Sequence, residues 1–82
     1  MDYTLTDHAL KRIRRRKIKP EWVAETIEHP ATTENDENDP TLVHALRPIA
    51  EKGFRVLRVI YNETTDSANI VTCFFDDEIK DL

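Results

Sequence analysis

The residues best suited to chemistry are concentrated near the start of the chain. Residues 8–19 read HALKRIRRRKIK and contain one histidine and seven Lys or Arg. A histidine exchanges protons near neutral pH, and guanidinium groups bind phosphate through several N–H donors. This segment therefore has the residue types needed to bind a phosphodiester and to move a proton at it.

Helical spacing would bring the histidine and two of the arginines together. At 100° per residue, His8, Arg12 and Arg15 lie within about 60° of one another. The apolar residues of the segment fall on the other side and predict a core face: Ala9, Leu10 and Ile13. The segment is therefore predicted to be an amphipathic helix with an exposed cationic face.

Two interpretations of this face remain open. In the first, His8 is a general base in the first helical turn, and Arg12 with Arg15 or Arg16 binds phosphate or the charge of a phosphorane-like transition state. In the second, His8 caps the helix or packs at the sheet edge, and the arginines form a solvated face partly paired with acidic residues. Spacing alone favours the second interpretation, because histidines on small domains are mostly structural.

A second group of arginines lies in the predicted strand 54–61, FRVLRVIY. Alternation places Arg58 on one face of this strand and Arg55 on the other, each among apolar residues. Such an arginine either extends its aliphatic stem to the sheet edge or faces a cleft that holds an anion. The first alternative is favoured.

The elements that must position these residues can be predicted from periodicity and punctuation. Thr6 or Asp7 offers an N-cap for a helix to about Arg16, and Pro20 suits the start of a second helix that ends at His29. Strands are expected at residues 3–5, 42–46, 54–61 and 69–75. Residues 31–40 predict an acidic loop, of which 32 and 33 are candidates for a strand, and residues 76–82 are expected to fray. The predicted fold is α+β, with two N-terminal helices packed on a three- to four-stranded antiparallel sheet.

Composition limits the function classes. The 82 residues are expected to form a single domain, residues 1–82. Residues 1–20 sum to +5 and residues 21–82 to −9, which gives the net charge of −4. The single cysteine, Cys73, excludes an internal disulfide and is expected to pack in the core. With no apolar run long enough to span a membrane and no signal-peptide pattern, the sequence predicts a cytoplasmic protein without membrane contact.

No cofactor or metal site is expected. The three histidines and Cys73 lack the close spacing of zinc ligands. With only Gly53 in the chain, a glycine-rich phosphate loop is excluded. Any phosphodiester chemistry would then depend on side chains alone.

Several motifs together resemble a known family, domain-of-unknown-function family 4258. The opening His8-Ala9 with Arg12 and Arg16 is the most specific part. It is followed by an isoleucine turn, a second acidic helix and strand matches: Ile18, Val23, Ile27, Pro30, Leu57-Arg58-Val59 and Ile70-Val71-Thr72. The resemblance extends from about Leu5 to Phe75.

The resemblance implies a fold similar to RelE-like and barnase-like ribonucleases, the toxins of toxin-antitoxin modules. It implies metal-independent cleavage of RNA, with His8, Arg12, Arg16 and Arg58 as the catalytic residues. The neighbouring cations are predicted to contact RNA: Lys11, Arg15 and Arg55. The expected partners are RNA and a cognate antitoxin or another protein, with a homodimer left open.

An alternative keeps this fold without catalysis, as a protein-binding or regulatory module. Two features support it. The last strand ends in Phe74 and Phe75, where such toxins often place a polar catalytic group, and the pI is about 5.3. In this alternative, the basic helix binds an acidic partner or the acidic face of a second copy.

Overall fold

Five strands and two helices follow the chain in an order that surrounds one core. The computed structural model describes residues 3–64, 67–80 and 82. The elements are β1 (Tyr3–Leu5), α1 (Asp7–Arg15), α2 (Pro20–Glu28), β2 (Thr32–Asn35), β3 (Leu42–Ile49), a short 3-10 turn (Ala50–Lys52), β4 (Arg55–Asn62) and β5 (Ala68–Phe75). The predicted α+β class and the two N-terminal helices are confirmed.

The sheet differs from the predicted one in strand number and direction. Its order is β1-β5-β4-β3-β2, with β1 parallel to β5 and the other pairs antiparallel. The prediction of three to four antiparallel strands was therefore wrong. β1 pairs with the last strand of the chain, and β2 forms from a polar segment whose four residues are all exposed. Neither pairing has a local signal in the sequence.

Local chemistry explains both ends of α1. The hydroxyl of Thr6 accepts a hydrogen bond from the Ala9 backbone N–H at 3.1 Å, as predicted for an N-cap. At the other end, Lys17 adopts a left-handed φ of 55°. The Ile18 N–H then donates to the Ile13 carbonyl at 3.0 Å, which is the hydrogen bond of a Schellman motif. This turn directs Ile18 into the core and ends the cationic helix sharply.

The two helices cover one face of the sheet. α1 packs on β5 and β1, and α2 packs on β4 and β3. The buried helix residues that form this layer are Ala9, Ile13, Trp22, Val23 and Ile27. From the sheet they meet Val43, Ala45, Ile49, Leu57, Val59, Tyr61, Ala68, Ile70 and Cys73. The opposite face of the sheet, which carries Arg58, is called the open face below.

A β-bulge decides which residues of β5 reach the core. Ile60 pairs with Thr72 while Tyr61 pairs with Ile70, so Val71 is an extra residue in β5. Simple alternation would place Ile70 and Cys73 on opposite faces of the sheet. The extra residue puts both side chains on the face under the helices, where both are fully buried. It also leaves Phe74 on the open face, opposite Arg58.

Candidate nucleic-acid interface

A row of polar side chains follows the outer side of α1. We call His8, Lys11, Arg12 and Arg15 the α1 stripe. Positions spaced three and four apart are neighbours on a helix, so the stripe is continuous for about 10 Å. His8, Lys11 and Arg15 are exposed and Arg12 is half-buried. The predicted cationic face is therefore present and open to solvent.

His8 and Arg12 form a direct pair in this stripe. The Arg12 Nε–H donates to His8 Nε2 at 2.6 Å. Because a guanidinium has no acceptor, Nε2 must be the acceptor, and a neutral imidazole in this pair carries its proton on Nδ1. A ligand that takes over the Arg12 donor would leave the Nε2 lone pair available as a base.

The cations of residues 11–17 differ from the strand arginines in their partners. Among the described residues, none of the cations at positions 11, 12 and 14–17 has a carboxylate oxygen within 4.0 Å. By contrast, Arg47, Arg55 and Arg58 each form a salt bridge. The acidic part of the chain therefore does not neutralise the α1 stripe through direct contacts within the described structure.

Arg16 follows the stripe and extends around the end of β5. β1 covers the edge of β5 as far as Ile70, so later backbone groups on that edge have no strand partner among the described residues. The Arg16 Nη1–H donates to the Cys73 carbonyl at 2.7 Å and supplies the missing bond. The guanidinium carbon lies 5.8 Å from the Phe74 ring centroid. This contact holds the C-cap arginine of α1 next to an aromatic ring of the open face.

Beside this contact lies a groove of about 450 Å³, lined by Arg16, Lys52, Arg55, Phe74 and Phe75. We call it the basic groove. It lies where the end of α1, the 3-10 turn, the start of β4 and the end of β5 meet. It contains two residues that the sequence predicted as functional, Arg16 and Arg55, although 39 positions separate them. Lys52 was not predicted, because nothing in its local sequence distinguishes it from other surface lysines.

Arg55 is the one groove cation with an acidic partner in the described structure. Its Nε and Nη2 donate to the two carboxylate oxygens of Asp77 at 2.9 and 3.0 Å. These hydrogen bonds hold the pKa of Asp77 below its usual value and raise the pKa of Arg55. The same guanidinium lies 4.6 Å from the Phe75 ring centroid, which fixes it against an aromatic wall.

Arg58 lies in a different environment, on the open face. Its Nε donates to Asp76 at 2.9 Å, and its Nη1 contacts His44 Nδ1 at 2.7 Å and Glu34 at 3.3 Å. The side chain is only 12% exposed. Asp76 was expected in a frayed terminus, but the ion pair with Arg58 holds it against the sheet at 17% exposure. Arg58 therefore already has carboxylate partners.

His44 completes this group, which we call the open-face network: Glu34, Asp36, His44, Arg58 and Asp76. Since Arg58 can only donate, His44 accepts at Nδ1 and donates from Nε2 to Asp36 at 2.7 Å. That hydrogen bond, with two from backbone N–H groups, holds the pKa of Asp36 below its usual value. His44 was not predicted as a site residue. Its only signal was its position in a strand.

The predicted site residues thus fall into two groups. The structure brings His8, Lys11, Arg12 and Arg15 into one stripe and joins it through Arg16 to a groove that includes Arg55. It does not bring Arg58 to His8, because α1 packs on the opposite face of the sheet. Phe74 lies between the two regions, near Arg16 on one side and paired with Arg58 on the other.

The sequence also led to expectations about the Cys73 thiol, about metal binding and about membrane spans. Burial raises the pKa of the Cys73 thiol to about 11, which makes it a poor nucleophile. In the described part of the chain, no group of three or more His, Cys, Asp or Glu residues has an arrangement that could hold a metal ion. None of the helices described is long and apolar enough to cross a membrane.

Comparison with known proteins places the chain in a family. No curated protein and no solved structure matches it significantly. The family model described as Domain of unknown function (DUF4258) matches residues 5–75, which include both helices, β2, β3, β4 and all of β5. The match covers the α1 stripe, the basic groove and most of the open-face network. The chain therefore belongs to the family Domain of unknown function (DUF4258).

Proposed function

We propose that this protein binds RNA along the α1 stripe and cleaves it without a metal, as a toxin ribonuclease with a RelE-like fold. The observation that carries the proposal is the row of stripe cations that have no carboxylate partner among the described residues, in an otherwise acidic protein. Surface cations that the protein's own carboxylates do not neutralise are available to phosphate groups.

The proposed chemistry uses His8 and Arg12. When a phosphate oxygen takes the Arg12 guanidinium, His8 Nε2 accepts the proton of the ribose 2′-hydroxyl. The 2′-oxygen forms a bond to phosphorus, and the bond from phosphorus to the 5′-oxygen breaks. That oxygen takes a proton from water, and the resulting hydroxide takes the proton from His8, which returns the histidine to its neutral state. The products are a 2′,3′-cyclic phosphate and a 5′-hydroxyl. Arg12 and Arg16 stabilise the added negative charge at phosphorus. Arg58 has no part in this step, since it lies on the opposite face of the sheet from α1 and its Nε and Nη1 are bonded in the open-face network.

Salt dependence tests the binding part of the proposal. For single-stranded nucleic acid, the logarithm of affinity falls with the logarithm of salt concentration by about 0.7 per phosphate contact. The double variant Arg12→Gln, Arg15→Gln should reduce this slope by about 1.4. The matched control is Arg47→Gln, which removes one cation from β3 and should leave the slope unchanged. Equal slopes for wild type and the double variant would refute phosphate binding by the stripe.

Cleavage in EDTA tests the catalytic part. Loss of a general base typically lowers a rate by about 10²- to 10⁴-fold, and His8→Ala should do so while RNA binding persists. His29→Ala is the matched control, because His29 is also exposed but lies at the end of α2. A cyclic phosphate on the 5′ product would identify the 2′-hydroxyl as the nucleophile. Equal cleavage by wild type and His8→Ala would exclude His8 as the base.

We further propose that a cognate antitoxin pairs with the β2 edge. β2 is the outer strand beside β3, and all four of its residues are exposed. Such an edge offers free backbone N–H and C=O groups to an added strand. The nearby carboxylates of Glu34, Asp36 and Glu37 favour a basic segment in that strand. Introducing a proline at Thr33 should weaken antitoxin binding without changing RNA binding.

The alternative function is a protein-binding module without catalysis. The open-face network favours it, since it contains one arginine and three carboxylates, of which Asp76 and Glu34 pair with Arg58 and Asp36 bonds to His44, and this excess of negative charge repels RNA. Under this alternative, wild type retains no RNA at low salt and behaves as a dimer that 0.5 M salt dissociates. Sedimentation analysis at low and high salt, together with a test of RNA retention at low salt, distinguishes this outcome from the RNA-binding protein.

A further inference from the structure

The basic groove has features that the α1 stripe lacks. The stripe carries a histidine and cations alone, whereas the groove combines three cations with two phenyl rings: Arg16, Lys52, Arg55, Phe74 and Phe75. Its volume of about 450 Å³ lies within the range of roughly 300–1,000 Å³ that is common for small-ligand sites. A surface that only attracts phosphate needs no aromatic groups, so the rings point to a second type of ligand group.

The charges around the groove leave it positive. Asp77 neutralises Arg55 through two hydrogen bonds. Arg16 uses one N–H on the Cys73 carbonyl, which is uncharged. Lys52 has no carboxylate within 4.0 Å among the described residues, and its Nζ lies 5.8 Å from the Trp22 ring centroid. Two cations therefore remain uncompensated by direct contacts in the described structure.

The aromatic groups are arranged as two pairs with the arginines. The Arg16 guanidinium lies 5.8 Å from the Phe74 ring centroid, and the Arg55 guanidinium lies 4.6 Å from that of Phe75. Nucleobases stack both on aromatic rings and on guanidinium planes. In a duplex the bases are already stacked on one another, so only an unpaired base can use such surfaces. An acidic peptide would satisfy the cations but would leave the rings without a stacking partner.

The groove is also continuous with the α1 stripe. Arg15 ends the stripe, and Arg16, the next residue, lines the groove. A strand whose phosphates follow the stripe therefore arrives at the groove at the end of α1. We propose that the basic groove binds one unpaired nucleotide of single-stranded RNA, with its base stacked at Phe74 and its phosphate on Lys52. This inference rests on the proposed function, which identifies the ligand as RNA.

Binding of labelled RNA to the full chain tests this inference. The probes are a single-stranded RNA of twelve nucleotides and the duplex of the same sequence, and the readout is fluorescence anisotropy. Wild type should bind the single strand at least tenfold more tightly than the duplex. Phe74→Leu should weaken single-strand binding by roughly 5- to 150-fold, the usual loss for one stacked base, and should leave duplex binding unchanged.

Further variants keep the test independent of folding. The binding result for Phe74→Leu is used only if the melting temperature of this variant stays within a few degrees of that of wild type. If it does not, Lys52→Gln tests the groove instead, because Lys52 is exposed and its replacement should not disturb the core. Lys52→Gln should weaken single-strand binding at least threefold, and the control Arg47→Gln should weaken it less. Trp22, the single tryptophan, lies 6.1 Å from Phe75 by ring centroids, so its emission should change when the single strand binds.

The outcomes separate this inference from the proposed function. Suppose that wild type retains RNA and that the stripe variants weaken RNA binding. The groove inference alone is then overturned if single strand and duplex bind equally and both groove variants bind as tightly as wild type. If wild type retains no RNA, the proposed function fails and this inference fails with it. Poly-glutamate that competes as well as unlabelled RNA would also overturn it, because the groove would then recognise charge without a base.

Discussion

Replacing Arg58 with methionine should destabilise the protein strongly, because this arginine holds the open-face network together. Methionine keeps most of the aliphatic length and removes the charge. The variant would leave Asp76, at 17% exposure, without its 2.9 Å ion pair, and His44 without the donor at 2.7 Å. Arg58→Met thus tests whether this arginine is structural, as its contacts indicate, or is needed for RNA cleavage.

The magnitude follows from the burial of the partners. Breaking a buried ion pair from one side costs about 3–5 kcal/mol, and the partial exposure of Asp76 favours the lower end. Glu34 is 53% exposed, so its bond at 3.3 Å adds little. We expect a loss of about 3 kcal/mol in the free energy of unfolding. For a domain of this size, whose total stability is about 4–12 kcal/mol, the melting temperature should fall by about 12–24 °C.

Urea denaturation followed by circular dichroism measures this loss. Arg47→Met is the matched control, since Arg47 is another strand arginine but is 34% exposed and pairs with the more exposed Glu25. It should lose no more than about 1 kcal/mol. A loss below 1 kcal/mol for Arg58→Met, or one equal to the control, would refute the structural role. At a temperature where Arg58→Met is folded, its affinity for single-stranded RNA should match that of wild type.

Three further predictions concern a turn, a thiol and an acid. Lys17→Gly should raise the free energy of unfolding by about 0.5–1 kcal/mol in thermal denaturation, because glycine removes the strain of the left-handed backbone at φ 55°. The control Lys17→Ala keeps the Cβ and should give no gain in stability. Cys73, buried and with a pKa raised to about 11, should react with a thiol reagent at pH 8 only as the chain unfolds, and rapid labelling of the native protein would contradict its burial. The His44 hydrogen bond lowers the pKa of Asp36, so the contribution of Asp36 to the free energy of unfolding is present above the unfolded pKa of 3.8 and is lost as pH falls through the folded pKa. Asp36→Asn should therefore show a smaller fall in stability below pH 4 than wild type. The same fall in stability with pH in both proteins would exclude this linkage.

Features governed by short-range chemistry were predictable from the sequence. Thr6 caps α1 and Pro20 begins α2 as expected, since capping and proline geometry depend on only a few neighbouring residues. The helical period identified the buried Ala9 and Ile13 and the exposed stripe beside them. Alternation in β4 correctly placed Arg55 and Arg58 on opposite faces. In each case the relevant interaction lies within one or two turns or within one strand.

Features that depend on pairing of distant segments were not predictable in this way. β1 joins β5 across more than sixty residues, and β2 forms by pairing with β3 although its residues are polar and exposed. The bulge at Val71 changes which face of β5 is buried. Strand pairing draws on backbone hydrogen bonds that every sequence can make, so composition alone carries little information about it.

For the candidate site, the sequence by itself determined which residue types are available and that His8, Lys11, Arg12 and Arg15 share one helix face, because the period of a helix follows from backbone geometry. Only the tertiary structure decided which cations of the protein have carboxylate or aromatic partners. It placed Arg58 among carboxylates on the far side of the sheet from α1. It also brought Arg16 to Phe74, because the short β1 does not pair with β5 beyond Ile70 in the part of the chain that the structure describes. Charge availability depends on three-dimensional distance, and that distance is set by how the strands pair.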